Sequence, residues 1–151
     1  MRAAVFALTD GGAALAARLC AALDGEAQLY LPERLNGSAP TAGHTAYFAH
    51  LSAAMTTAFS RYDALVCVMA TGIVVSTLAP CVRSKLYDPA VIVFDEQGRH
   101  GISLLSGHVG GANDLTRTLC AAVGADAVIT TATDVTGVPA PDAVAARLAL
   151  R

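Results

Sequence analysis

The chain has 151 residues, of which 54% are hydrophobic and only 15% are charged, and its net charge is −2. Ordinary soluble domains are roughly 45–50% apolar and about 25% charged, and much of the apolar excess here is alanine. One domain with a sizeable core fits this length, whereas the lack of a basic cluster argues against nucleic acid and the lack of a long uncharged apolar run argues against a membrane span.

The cysteine spacing bears on metal binding, and the first residues bear on the location of the protein. The four cysteines share no C-x-x-C spacing, and Cys20, Cys67 and Cys120 lie within apolar patterns, where a thiol packs as a small hydrophobe. A zinc site is therefore not expected. No basic-then-apolar signal sequence opens the chain, so we expect a soluble cytoplasmic protein. Its low charge also suggests burial against another domain or against a second copy in a homo-oligomer.

Short apolar runs alternate with stretches of helical periodicity along the chain. Thr9 or Asp10 is the expected N-cap of the first helix. Residues 63–69 are apolar almost throughout, as a central strand buried on both faces should be. The predicted strands cover residues 3–8, 28–31, 63–69, 90–94, 99–105 and 126–129, and the predicted helices cover residues 13–23, a stripe within 48–59, residues 71–78, the stretch after residue 111 and residues 141–151.

This alternation predicts an α/β fold, a three-layer sandwich around a mainly parallel sheet of flavodoxin- or Rossmann-like type. The strands at 90–94 and 99–105 flank Asp95-Glu96-Gln97-Gly98 and are expected to form a hairpin-like pair. Residues 33–44 carry Gly, Pro, Ser and Asn without periodicity and are expected to form a loop.

The most informative segment joins a strand to a helix and reads Leu104-Leu105-Ser106-Gly107-His108-Val109-Gly110-Gly111-Ala112-Asn113-Asp114. Ligands of open α/β sheets bind at such junctions. An imidazole titrates near neutral pH, so His108 is a candidate base, with capping of the turn as the alternative. Ser106 lacks the G-x-S-x-G context of a nucleophile elbow and is expected to donate a hydrogen bond to ligand. The N–H groups of Gly110 and Gly111 can approach an anion, although neither P-loop nor dinucleotide-binding spacing is present.

Two further polar clusters follow predicted strands: Thr71-Gly72 and Thr130-Thr131-Ala132-Thr133-Asp134. Because parallel strands end at one edge of a sheet, we expect both clusters to meet the glycine-rich junction in one cleft. Asp134 either orients a water or a histidine, or caps the next segment.

The loop Arg83-Ser84-Lys85-Leu86-Tyr87-Asp88-Pro89 precedes a predicted strand. Arg83 and Lys85 either pair with ligand carboxylates or stay solvated. Asp88 before a proline is also an ordinary turn signature.

Four segments in this order resemble one known family: residues 69–75, residues 85–91, residues 104–113 and residues 130–134. They are similar to the N-terminal domain of the CbiG family, the cobalt-precorrin-5A hydrolases of anaerobic cobalamin biosynthesis, and the match covers about residues 66–136. Four ordered motifs make the resemblance specific. Family members usually continue into a linking region and a C-terminal domain, so either the partner domain is a separate C-terminal-type protein or this chain is a fragment. Other enzymes of the cobalamin pathway are further partners that the resemblance implies.

The resemblance implies hydrolytic opening of the lactone of cobalt-precorrin-5A, with release of acetaldehyde to give cobalt-precorrin-5B. No resident cofactor or metal is implied, because cobalt arrives inside the macrocycle. Lactone hydrolysis needs an activated water and a stabilised oxyanion. We therefore expect His108 as the base, Lys85 or the Gly110 and Gly111 N–H groups at the negative charge, and Asp134 or Asp88 orienting the base or the water. The positions expected to contact substrate are Thr71, Gly72, Arg83, Asp88, Ser106, Gly107, Gly110, Gly111, Asn113, Thr130, Thr131 and Thr133.

Two other interpretations stay open. A non-catalytic corrinoid-binding subunit would bind cobalt corrinoids without releasing acetaldehyde. A phosphate- or nucleotide-binding module of flavodoxin-like type would bind a nucleotide or flavin and ignore corrinoids.

Overall fold

A computed structural model describes residues 1–107 and 109–132 of the chain. The strands are β1 Arg2–Ala7, β2 Glu26–Pro32, β3 Thr45–Phe48, β4 Ala64–Val68, β5 Ala90–Phe94, β6 His100–Leu105 and β7 Asp126–Val128. The α-helices are α1 Asp10–Ala22, α2 Leu51–Arg61, α3 Thr71–Leu78 and α4 Ala112–Val123. Two 3-10 turns lie at Glu33–Leu35 and Ala79–Cys81. The helix predicted at residues 141–151 lies outside the described residues.

The strands form one sheet in the order β3-β2-β1-β4-β5-β6-β7. Strands β1 to β5 run parallel, β6 runs antiparallel to β5, and β7 runs parallel to β6. The chain between β5 and β6, residues 95–99, is too short for a crossover, which needs about a dozen residues or more, so β6 returns beside β5. We call the edge where β1 to β5 begin the amino edge and the opposite one the carboxyl edge. Strands β6 and β7 therefore end at the amino edge.

Two helical layers cover the sheet and confirm the three-layer α/β sandwich. Helices α1 and α4 bury Leu15, Leu19 and Leu119 on one face. Helices α2 and α3 bury Met55 and Leu78 on the other face. Alternate strand residues point to the two cores, and β4 and β5 are buried along their whole length. The continuous apolar sequence of these strands is thereby explained, because both of their faces lack contact with water.

The ends of two helices follow from single residues. The Thr9 hydroxyl accepts the N–H of Gly12 at 3.0 Å at the start of α1, which confirms Thr9 as the predicted N-cap. Such a cap stabilises a helix by about 1 kcal/mol. Helix α4 ends at Val123, and its C-cap is Gly124. The φ of Gly124 is 75°, a left-handed conformation that glycine adopts readily.

Strand β3 was not predicted, because residues 33–44 were expected to be followed directly by a helix. Its residues Thr45–Phe48 are only half-buried and form an edge strand that pairs with β2. Phe48, expected on the face of the second helix, therefore belongs to β3, and its ring lies 6.1 Å from that of Phe6. Helix α2 begins at Leu51 and buries Met55 and Phe59 as expected.

Among the helices that the structure describes, none combines the length and the apolar character needed to cross a membrane.

Candidate functional site

The connection between β6 and α4 is a tight loop that folds back on itself. Ser106 has a φ of 60°, a left-handed conformation that costs a non-glycine residue on the order of 1 kcal/mol and that recurs at functional sites. A Cβ on Gly110 would lie 2.5 Å from the Cβ of Ser106 and 2.9 Å from its carbonyl oxygen. Gly111, with a φ of 80°, is the N-cap of α4. The loop is therefore built around a close approach that only glycine permits at position 110.

Two N–H groups of the first turn of α4 are used within this loop. Ala112 donates its N–H to the carbonyl of Ser106 at 3.1 Å, and Asn113 donates its N–H to the carbonyl of Gly107 at 3.0 Å. These are donors that a helix start otherwise offers to an anion. The predicted anion contact would therefore involve the N–H groups of Gly110 and Gly111, which precede the helix, and it stays a prediction.

Asn113 connects three elements through its buried amide, which is only 3% exposed. Ser103 in β6 donates its hydroxyl to Asn113 Oδ1 at 2.6 Å, and Asn113 Nδ2 donates to Thr131 Oγ1 at 2.8 Å. A Cβ on Gly107 would lie 2.8 Å from the same Oδ1. Because a buried amide must be hydrogen-bonded, Asn113 fixes the residues after β7 against the junction. Sequence reasoning missed Ser103, since nothing in its own strand distinguishes it.

The loop before β5 is held by the carboxylate of Asp88. Its Oδ2 accepts the N–H groups of Arg83 and Ser84, each at 2.9 Å, and its own N–H donates to the Ser84 carbonyl at 2.8 Å. This geometry matches the turn role that was the alternative to ligand contact for Asp88. The Ser106 hydroxyl donates to the Asp88 carbonyl at 3.2 Å, so it joins the loop to the glycine-rich junction. Arg83 is exposed on this turn, as is Lys85.

These contacts bring part of the predicted site together at the amino edge. We call the group the amino-edge cluster; its members are Arg83, Lys85, Asp88, Ser106, Gly107, Gly110, Gly111, Asn113 and Thr131, with Thr130 exposed beside Thr131. His108, Thr133 and Asp134 lie outside the described residues, so their roles stay predictions.

The prediction that Thr71 and Gly72 share this cleft is wrong. They begin α3, directly after β4, and therefore lie at the carboxyl edge. The five-residue strand β4 separates the two edges by roughly 15 Å. The expectation assumed that all strands ended at one edge, whereas the reversal at β6 sends the ends of β6 and β7 to the other one.

A cleft of about 650 Å³ opens at the carboxyl edge, where Thr71 is one of its lining residues. At its rim, Thr9 donates its hydroxyl to Glu96 Oε1 at 2.7 Å, and a Cβ on Gly11 would lie 2.5 Å from that oxygen. The Glu96 carboxylate thus lies at the start of α1, where Rossmann-type proteins bind phosphate. A nucleotide phosphate would have to displace a like charge, which disfavours the nucleotide-binding interpretation.

The buried thiols Cys20 and Cys67 are structural. All four cysteines are free, and burial raises the pKa of Cys67 to about 12 and that of Cys20 to about 11. Both thiols therefore stay protonated at neutral pH and pack as small hydrophobes, as predicted. Within residues 1–107 and 109–132, no three His, Cys, Asp or Glu side chains are grouped so that they could hold a metal ion.

The chain matches known proteins over a range that includes this site. The family model described as Cobalamin synthesis G N-terminal matches residues 53–134, a range that contains the whole amino-edge cluster. A cobalt-precorrin-5A hydrolase from Salmonella typhimurium strain LT2 is 50% identical over 150 residues, which cover 98% of this chain and 40% of that protein. A cobalt-precorrin-5A hydrolase from Priestia megaterium is 51% identical over 77 residues, which cover 51% of this chain and 21% of that protein. The chain thus spans less than half the length of these relatives.

The fold has a counterpart among solved structures. The crystal structure of a cobalamin biosynthesis protein G homolog from Sulfolobus solfataricus superimposes with a TM-score of 0.62, covering 85% of this chain and 36% of that chain. The sequence identity is 23%, so this likeness bears on the fold alone and agrees with the α/β sandwich described above.

Proposed function

This chain belongs to the cobalamin synthesis G N-terminal family, and on that premise we propose that it acts in cobalamin biosynthesis as a cobalt-precorrin-5A hydrolase domain. The amino-edge cluster carries the proposal. Three of the four segments that resemble the family are hydrogen-bonded to one another there, in a chain that is 50% identical to a hydrolase of that name.

The proposed reaction has two steps. Water adds to the lactone carbonyl and the ring C–O bond breaks, which leaves a carboxylate and a hydroxyl. The hydroxyl-bearing carbon then leaves as acetaldehyde, while the electron pair of its C–C bond stays on the macrocycle and the hydroxyl proton goes to a base. The product is cobalt-precorrin-5B. The first step requires a base for the water and hydrogen-bond donors for the developing oxyanion.

The residues of the junction suit these needs. His108, in the glycine-rich loop, is the proposed base, and Asp134 orients it or the water. The N–H groups of Gly110 and Gly111, together with Lys85, stabilise the oxyanion. Asp88 has a different part: its Oδ2 already accepts two N–H groups, so it holds the loop in place.

The substrate brings its own metal and its own charges. Cobalt is part of the macrocycle, so the chain needs no resident cofactor for this reaction. Arg83 suits the acetate and propionate side chains of such a substrate, because a guanidinium pairs with a carboxylate through two hydrogen bonds. We further propose that a C-terminal-type domain, in the same polypeptide or in a separate one, completes the site, since the relatives are more than twice as long as the matched part. The four free thiols suit a cytoplasmic location, where cysteines stay reduced.

The test is release of acetaldehyde from cobalt-precorrin-5A by the purified chain, with and without a C-terminal-type partner. His108→Ala is expected to slow release by about 10²–10⁴-fold, the usual contribution of general acid–base catalysis. His50→Ala is the matched control, because His50 is exposed and its side chain makes no capping hydrogen bond at α2; its rate should equal that of the wild type. Corrinoid binding with no acetaldehyde under either condition would identify a binding subunit and overturn the hydrolase proposal.

A further inference from the structure

Exposed apolar side chains lie on and next to the loop of the amino-edge cluster. Within the part of the chain that the structure describes, Val82, Leu86 and Tyr87 are three of the six exposed large hydrophobic residues. Tyr87 is the most exposed of them at 87%, and Leu86 next to it is 51% exposed. Resting on the proposed function, we propose that the flat face of the cobalt macrocycle stacks on Tyr87, while Arg83 and Lys85 hold the carboxylates at its periphery.

The backbone presents Tyr87 on a fixed turn. The N–H of Tyr87 donates to the Ser84 carbonyl at 3.1 Å, and the neighbouring Asp88 closes the turn through its carboxylate. Binding a ligand on Tyr87 therefore restricts the rotation of its side chain but needs no further ordering of its backbone.

The turn lies next to the proposed reaction centre. Asp88 follows Tyr87 directly, and its carbonyl accepts the Ser106 hydroxyl at 3.2 Å. A macrocycle that stacks on Tyr87 therefore lies within reach of the junction at residues 106–111. A ligand that contacts both the turn at residues 83–88 and the glycine-rich junction has to be broad, so a macrocycle fits this arrangement better than a small molecule.

The charges of the turn favour a carboxylate-bearing occupant. Arg83 and Lys85 stand on a chain of net charge −2, and the one carboxylate of the turn, that of Asp88, is engaged with backbone N–H groups. Cations beside an apolar ring match a ligand that has a flat apolar face and an anionic rim.

The experiment is equilibrium binding of cobyrinic acid, a stable cobalt corrinoid with free carboxylates, and of cobinamide, in which these groups are amidated. Tyr87→Ser is expected to weaken cobyrinic acid binding about tenfold, as expected for the loss of one aromatic stacking contact, and Tyr87→Phe should restore it. Val75→Ser is the control, because Val75 is 50% exposed on α3 and takes no part in the cluster. Cobinamide should bind more weakly than cobyrinic acid, and Arg83→Ala should reduce that difference, with Lys85 accounting for the rest.

The outcomes separate this inference from the function on which it rests. Equal affinity of Tyr87→Ser and the wild type for cobyrinic acid would overturn the stacking role and leave the hydrolase proposal intact. Absence of corrinoid binding and of acetaldehyde release in the wild type would overturn both. A wild-type dimer that Tyr87→Ser converts to a monomer would show that a second copy covers Tyr87, and would also overturn the inference.

Discussion

At the level of single residues, the glycine-rich junction makes unequal demands on its neighbouring glycines. A Cβ on Gly110 would collide with Ser106, whereas a Cβ on Gly111 would meet nothing within 4 Å and only the φ of 80° opposes it. Gly111→Ala should therefore lower the free energy of unfolding by about 1 kcal/mol, the cost of left-handed backbone. Gly110 is not left-handed, so Gly110→Ala has only the cost of overpacking and should lower the free energy of unfolding by about 1–3 kcal/mol. Urea denaturation of both variants measures the difference.

The same pair of variants tests whether the junction is rigid. If Gly110→Ala cost no more than Gly111→Ala, the loop would relax around the added methyl group, and the left-handed Ser106 would not be needed. If Gly110→Ala is the more costly, its acetaldehyde release should fall too, since His108 and the Gly110 N–H belong to the same loop.

Single residues also show how far the sequence predicts the site. Ser106, Gly107, Gly110, Gly111 and Asn113 were identified because they are adjacent in the chain. The hydroxyl partners of Asn113 lie 10 and 18 residues away, and one of them, Ser103, carries no local signal. A hydrogen bond between distant segments exists only once the sheet is formed, so local patterning does not reveal it.

At the level of elements, the hairpin of β5 and β6 decides where the site lies, and Asp95 holds its turn. Oδ1 of Asp95 accepts the N–H of His100 at 2.7 Å, and Oδ2 accepts that of Gln97 at 3.2 Å. Burial acts to raise the pKa of Asp95, but the backbone N–H groups of His100, Arg99 and Gln97 outweigh it and the pKa is lowered. The ionised carboxylate therefore stabilises the hairpin fully above pH ~4, which is the ordinary pKa of aspartate in an unfolded chain.

This stabilisation should disappear as the pH falls through the lowered pKa of Asp95. The wild type is expected to be more stable than Asp95→Asn at pH ~7 and to lose that advantage progressively as the pH falls below ~4, because the protonated side chain accepts hydrogen bonds more weakly. Urea denaturation at pH ~7 and over a series of acidic pH values measures the difference, and the exposed Asp24→Asn is the control. A difference between wild type and Asp95→Asn that did not change with pH would contradict a role for the charge.

The elements that the sequence predicts well are those whose burial is uniform. Strand β4 is buried on both faces, so its apolar run needed no knowledge of its neighbours. Strand β3 is half-buried and exists because it pairs with β2, so its four residues give no clear pattern. The sequence predicts the hairpin of β5 and β6, but not on which edge the later strands end. Because β6 runs antiparallel to β5 and β7 runs parallel to β6, both strands end at the amino edge.

At the level of the whole molecule, the strands of the sheet are expected to differ in stability, and the amino-edge cluster includes Thr131, which follows the weakly paired strand β7. Strand β7 pairs with β6 over three residues and is largely exposed, whereas β4 is buried between β1 and β5. Native-state hydrogen exchange should therefore find the β4 amides exchanging only through global unfolding and the β7 amides exchanging through local opening. Thr131, the partner of Asn113, follows β7 directly, so opening of β7 also takes apart the cluster.

Ligand binding should change this exchange in a pattern that locates the site. A bound corrinoid stabilises the native state by mass action and slows every amide that exchanges through global unfolding, including those of β4. It slows local opening only where opening breaks ligand contacts, so with cobyrinic acid we expect slower exchange in β7 and in residues 83–88. Strand β3 is the internal control, because it is also a short edge strand but lies at the far end of the sheet. Unchanged exchange in β7 together with slowed exchange in β3 would place the ligand beside β3, whereas the expected pattern would place it beside β7 and the loop at residues 83–88.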